Sequence, residues 1–309
     1  MSKDSKTSKG GGGAMPSGVP SGKHFASNEA PSGFNICDGK GPALAKVDCP
    51  YALGQAATDV TEGYTSNLDT AYVPITVPFY QAGMCPVNVH WHLGTEHRSE
   101  GQYDEDGSGP TGIDHRRKLA GKARKGFQCQ LYDDSVDMFT KHYDWQHCTD
   151  MEVGQTYEVR WPSSAAGACG TLNQYQTPFV DGVFCKDNIL VDLPAQIGVQ
   201  AQVFTIVNDE SYYYPDLMRG MIVDEMIGSD IAYYTGSTTG MSYNNEICSA
   251  YTPITWQVDR KCNIVSASTF DKMCADMKSQ RDDMSDDLYP HGSRELVSDA
   301  NASNNHERS

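Results

Sequence analysis

The sequence lacks any hydrophobic run long enough to cross a bilayer. No stretch approaches the roughly 18 apolar residues that a membrane-spanning helix needs, so the folded part is expected to be soluble. Positive charge is also scarce, because 24 Lys and Arg residues face 40 Asp and Glu residues, for a net charge of −16. That balance argues against nucleic acid or an anionic membrane as a partner. The polar start MSKDSKTSKGGGGAMPSG contains no apolar core, so no signal peptide is visible.

The ten cysteines contain no CxxC pair and no zinc-ribbon spacing. They are scattered and even in number, a pattern that favours disulfides over thiolate ligands. Disulfides in turn indicate an oxidising compartment, which means an extracellular, periplasmic or organelle-lumenal location. The sequence carries no indication of oligomeric state.

Strand signals dominate the middle of the chain, in runs such as TAYVPITVPFY, VNVHWHL, QTYEVRW and VQAQVFTIVN. Helical patterns are few and are predicted over residues 133–143 and 270–280. Residues 1–33, rich in Ser, Gly and Lys, and the polar tail 282–309 are predicted to be disordered. Residues 34–281 then form one mostly β (α+β) domain, built on a central antiparallel sheet with short helices on loops.

The stretch VNVHWHLGTEHR, residues 87–98, is the strongest functional signal. Residues two apart on a strand share a face, so His90 and His92 point the same way. A two-residue turn at Gly94-Thr95 would place His97 opposite His92, with Cβ atoms ~5 Å apart. Three converging imidazoles predict a metal site, with Zn²⁺ preferred and an open position for catalysis.

The third ligand stays open at this point. If the loop after Leu93 is wider than two residues, the ligand must come from another strand, and His147 in the segment DWQHC is a candidate. The metal is open as well, because imidazole also suits Co²⁺ or Cd²⁺.

A cupin is the alternative metal scaffold. Its Gly, His-x-His, Glu, Gly pattern is approximated by Gly83, His90, His92, Glu96 and Gly101. The second half of the cupin pattern is not visible later in the chain.

Two longer segments resemble the delta-class carbonic anhydrases. They are PVNVHWHLGTEHRSEGQYDEDGSGP at 86–110 and DWQHCTDMEVGQTYEVRWPSSAAGACGTLNQYQTPFVDGVFC at 144–185. The resemblance implies a fold like that of the alpha-class enzymes, Zn²⁺ as the cofactor and CO₂ and bicarbonate as the small-molecule substrates. The implied reaction is the reversible hydration of CO₂ to bicarbonate and a proton, through zinc-bound hydroxide.

The resemblance also suggests roles for single residues. Glu96 resembles the glutamate that orients a hydroxyl beside the metal, and Thr177, which precedes a proline, is the candidate hydroxyl. An ordinary turn threonine is the alternative for Thr177. His115, in the basic stretch, is a candidate proton shuttle, although an exposed histidine needs no such role.

The sequence departs from the family pattern at Arg160. Relatives usually carry His there, so the chain is either an active enzyme completed by another histidine or a catalytically weak secreted member. Cys169 and Cys185 bracket the Thr177 loop and are predicted to staple it. Their partners are each other, Cys37, Cys49 or Cys85.

Overall fold

The computed structural model describes residues 47–49, 52–104, 109–110, 125–171, 174–175, 190–238, 245–249, 252–280 and 288–306. The predicted disordered segment 1–33 lies outside these ranges.

Short elements alternate with a few long strands. The strands are β1 (Val47–Asp48), β2 (Cys85–Pro86), β3 (His90–Leu93), β4 (Tyr103–Asp104), β5 (Gln128–Cys129), β6 (Thr156–Ser164), β7 (Ile197–Val207), β8 (Ile231–Gly236), β9 (Ile247–Cys248) and β10 (Ile254–Ser266). The helices are α1 (Asp137–Thr140), α2 (Leu193–Gln196) and α3 (Ala267–Gln280), with 3-10 turns at Phe79–Ala82, Glu210–Tyr212, Leu217–Arg219 and Asp299–Asn301. No helix of the described chain is long and apolar enough to cross a membrane.

A six-stranded sheet forms the centre of the domain. Its order is β2-β6-β7-β10-β8, and β3 pairs with β6 beside β2. The pairs are antiparallel except β7 with β10, which is parallel. The sheet is therefore mixed, whereas the sequence predicts an antiparallel one. The predicted mostly β fold with few short helices is confirmed.

The sheet is covered on both faces, which explains why every residue of β6 is buried. On one face, α3 packs its apolar side (Phe270, Met273, Cys274 and Met277) against a cluster that includes Trp91, Val159 and Phe204. The opposite face holds a second cluster with Val199, Ala201, Tyr234, Trp256 and Val258. Because alternate residues of a strand face opposite ways, His90 and His92 lie on the face opposite to that of Trp91 and α3.

Four disulfides join elements that are far apart in the chain. They are Cys49–Cys248, Cys85–Cys169, Cys129–Cys262 and Cys148–Cys274. Cys169 thus pairs with Cys85, which is one of the partners considered for it. Cys37 and Cys185 lie outside the described residues. Four bridges in one domain indicate an oxidising compartment.

Residues 288–306 differ from the expected disordered tail. Leu288, Val297 and Ala302 are buried, and the Leu68 backbone exchanges hydrogen bonds with Ala302 and Asn304. The segment is held by backbone hydrogen bonds to the rest of the domain and by a few apolar side chains. It therefore needs little apolar sequence of its own. Composition alone therefore predicts disorder for it.

Candidate metal centre

His90 and His92 lie on one face of β3, as the alternation predicts, and both are buried. In the antiparallel register with β6, His90 stands opposite Arg160 and His92 opposite Glu158. The face that carries the two histidines therefore also carries a guanidinium and a carboxylate.

A third imidazole comes from the C-terminal segment. His291 forms an isolated parallel bridge with His92, in which the Leu93 N–H donates to the His291 carbonyl (2.9 Å) and the His291 N–H donates to the Trp91 carbonyl (2.7 Å). The segment thus lies along the edge of β3 that β6 leaves open. The ring centroid of His291 lies 5.2 Å from that of His90 and 5.8 Å from that of His92.

These three histidines could hold a metal ion. One ligand atom from each of His90, His92 and His291 lies within 4.8 Å of the others. The sequence pattern does not reveal His291, because the polar stretch around it carries no metal-ligand spacing and lies about 200 residues beyond the HWH motif.

Hydrogen bonds at Nδ1 orient the rings of His90 and His92. His90 Nδ1 lies 2.9 Å from Asn88 Oδ1, and His92 Nδ1 lies 2.9 Å from the Gly292 carbonyl oxygen. When Nδ1 donates to an oxygen, Nε2 keeps its lone pair. His92 Nε2 is buried and has no hydrogen-bond partner among the described residues. A metal ligand explains such a buried acceptor, so the site fits a metal.

The environment also keeps the ligands neutral. Burial, reinforced by the nearby charge of Arg160, lowers the pKa of His92 to about 4. Burial and the neighbouring histidines lower the pKa of His90 as well. Neutral imidazole is the form that coordinates metals, so neither ring must lose a proton to bind one at neutral pH.

Glu96 lies beside the histidines and links three parts of the chain. Its Oε1 lies 3.2 Å from His92 Nδ1 and accepts a hydrogen bond from the Arg294 backbone N–H at 2.9 Å. Its Oε2 accepts from Arg160 Nη2 at 2.6 Å. Burial alone would raise the pKa of Glu96, but Arg160 and His92 outweigh that effect and hold it below its usual value. Glu96 therefore stays ionised.

His97 does not join the pair. Its Nδ1 lies 3.1 Å from Glu158 Oε1, and its Nε2 lies 3.3 Å from the hydroxyl of Tyr103. The expected hairpin is absent: Gly94 has φ +72°, but the chain continues so that Thr95 bridges Phe127. With no reversal at Gly94-Thr95, His97 does not lie opposite His92, and the hairpin prediction is wrong.

The other candidates lie elsewhere. His147 is exposed, and its neighbour Cys148 is bonded to Cys274 on α3, at the sheet face opposite to that of the histidines. Thr177 and His115 lie outside the described residues, so their roles stay predictions. Arg160 is buried, with its Nη2 bonded to Glu96 and Glu158.

The fold is therefore a mostly β domain in which three histidines, two buried and one half-buried, converge on one face of the central sheet and could hold a metal ion. The family model described as Delta carbonic anhydrase matches residues 81–269 of the chain, more than half of its length. The chain belongs to the delta carbonic anhydrase family. No curated protein and no solved structure matches the chain. The matched range contains His90, His92 and Arg160, whereas His291 lies beyond it.

Proposed function

We propose that the chain is a carbonate dehydratase, which catalyses the reversible hydration of CO₂ to bicarbonate and a proton. The observation that carries the proposal is the convergence of His90, His92 and His291, within 4.8 Å of one another, in a chain of the delta carbonic anhydrase family. We assign Zn²⁺ to this site, with Co²⁺ or Cd²⁺ as substitutes, because three neutral nitrogens suit each of them.

When bound, Zn²⁺ supplies Lewis-acid activation of water at neutral pH. The chain does the rest. Asn88 and Gly292 fix the Nδ1 atoms of His90 and His92, which aims their Nε2 atoms. Glu96 stays ionised and holds Arg294, three residues after His291, through its backbone N–H. This contact positions the C-terminal ligand against the strand.

The sheet face that bears the histidines also carries an apolar cluster, formed by Val199, Ala201, Trp256 and Val258. CO₂ has no net charge and no dipole, so an apolar setting on this face is compatible with it and supports the proposal. The four disulfides support an oxidising compartment, and we propose an extracellular, periplasmic or organelle-lumenal location for this activity.

Metal analysis and kinetics test the proposal together. The purified protein should contain about one equivalent of Zn²⁺ per chain, and stopped-flow CO₂ hydration should be inhibited by a sulfonamide. Less than about 0.2 equivalents after zinc reconstitution would refute the metal site.

A catalytically weak family member is the second candidate, favoured by the burial of Arg160 at a position where the family resemblance implies a histidine. A zinc-loaded protein without CO₂ hydration would support it. Because the chain belongs to the delta carbonic anhydrase family, the cupin alternative is dropped.

A further inference from the structure

Arg160 lies on the sheet face that carries His90 and His92. It stands opposite His90 in the register of β3 and β6, and only 9% of it is exposed. Its Cζ lies 5.2 Å from the ring centroid of Trp256, in the apolar cluster of the same sheet face. A guanidinium is costly to bury unless its donors are used.

The donors of Arg160 are only partly used. Glu96 and Glu158 both contact Nη2, at 2.6 and 3.0 Å. Nε is buried and has no hydrogen-bond partner in the described part of the chain. A buried arginine N–H without an acceptor is unfavourable, and an oxyanion is the acceptor that the guanidinium geometry matches best.

The charges around the histidines also call for an anion. Glu96 and Glu158 bring two negative charges, and Arg160 and Arg294 bring two positive ones. Three neutral imidazoles do not compensate a divalent cation, so a loaded site would carry an uncompensated positive charge in a buried setting. A bound anion would neutralise part of it.

We propose that Arg160 forms a bicarbonate-binding subsite beside the metal centre, with its Nε–H donating a hydrogen bond to a bicarbonate oxygen. The inference rests on the proposed function, since it assigns to Arg160 the product of hydration, which is also the substrate of the reverse reaction.

The first test observes the guanidinium in the unaltered protein. Zinc-loaded chain labelled with ¹⁵N and ¹³C is titrated with bicarbonate at mildly alkaline pH, and the arginine Nε–H signals are assigned by through-bond experiments. The Arg160 Nε–H signal should shift saturably. Arg260 is an internal control, because it is also buried but its Nε–H already donates to the Val60 carbonyl at 2.7 Å, so its signal should stay.

The second test measures affinity without turnover. Bicarbonate is titrated into the Co²⁺-loaded protein, and its binding is followed by the visible absorption of the cobalt. Arg160→Lys keeps a positive charge for Glu96 and Glu158 but removes the Nε donor, so the dissociation constant should rise about tenfold or more. Arg260→Lys, the matched control, should leave it unchanged.

The outcomes separate this inference from the proposed function. An unmoved Arg160 signal during a cobalt response, or an Arg160→Lys dissociation constant within about twofold of the original, would overturn the subsite and leave the proposed function standing. A chain that binds neither Zn²⁺ nor Co²⁺ would refute the proposed function, and the Arg160 signal would then decide the anion site by itself. If Arg160→Lys does not fold, the Arg160 signal in the unaltered protein decides whether the subsite exists.

Discussion

His291 differs from the other two histidines in the way that it reaches the site. His90 and His92 sit on a strand held by four paired positions with β6, whereas His291 belongs to a segment joined to β3 by one bridge. The three candidate ligands therefore combine two from a paired strand with one from a segment near the end of the described chain. Removing the third donor is thus the most direct test of the trio.

His291→Ala should lose the metal while keeping the fold. It removes one of three nitrogens, so Zn²⁺ affinity should fall by more than the ~10–100-fold that loss of an outer hydrogen bond costs. Competition with a chromophoric chelator measures this. His147→Ala, at an exposed site, is the control and should bind Zn²⁺ as before. Equal affinities for the two variants would place the third ligand elsewhere.

Glu96→Gln should weaken metal binding without removing a ligand. The carboxylate lies 3.2 Å from His92 Nδ1 and also holds the Arg294 backbone, so the change disturbs the orientation of one ligand and the position of another. We expect a ~10–100-fold loss of Zn²⁺ affinity in the same chelator assay. Glu100→Gln is the matched control, since Glu100 is exposed. An unchanged affinity in Glu96→Gln would show that Glu96 has no part in holding the ligands.

At the scale of elements, the alternation in VNVHWHL predicts the paired histidines because it depends only on the two-residue period of a strand. His291 could not be found this way, since its contact with β3 joins residues about 200 apart and leaves no local pattern. The prediction for His97 is wrong for the converse reason. Gly94 has the positive φ that a tight turn needs, but the pairing of Thr95 with Phe127 decides where the chain goes next.

Gly94 offers a test of how tightly this junction is packed. A Cβ at Gly94 would lie 2.6 Å from the Gly126 carbonyl carbon, whereas at Gly101, with a similar φ of +75°, it would meet nothing within 4 Å. Gly101→Ala should cost only the left-handed backbone conformation, about 1–2 kcal/mol of unfolding free energy. Gly94→Ala should add the cost of crowding, for roughly 2–5 kcal/mol in total. Urea denaturation compares the two, and equal losses would mean that the junction is loose.

At the scale of the whole molecule, one face of the central sheet holds the main apolar core and the other holds the candidate metal centre. One face packs against α3 through a large apolar cluster that includes the Cys148–Cys274 bridge. The other face carries the three histidines, the buried charges and the smaller cluster around Trp256. Because β3 and β6 contribute alternate residues to both faces, the sheet backbone fixes the positions of the histidines. The disulfide on the α3 face stabilises the fold mainly by reducing the conformational entropy of the unfolded chain.

This separation predicts what happens when the bridge on the α3 face is removed. The double variant Cys148→Ala with Cys274→Ala opens a link between residues 126 apart and should lower the unfolding free energy by about 2–5 kcal/mol, measured by urea denaturation of the metal-free protein. Its Zn²⁺ affinity in the chelator assay should stay within about twofold of the original, because the histidines are held from the other face. A large loss of affinity in a variant that still unfolds cooperatively would show that the two faces are coupled. The packing of α3 would then help to position the histidines, as the hydrogen bonds of Asn88 and Gly292 do.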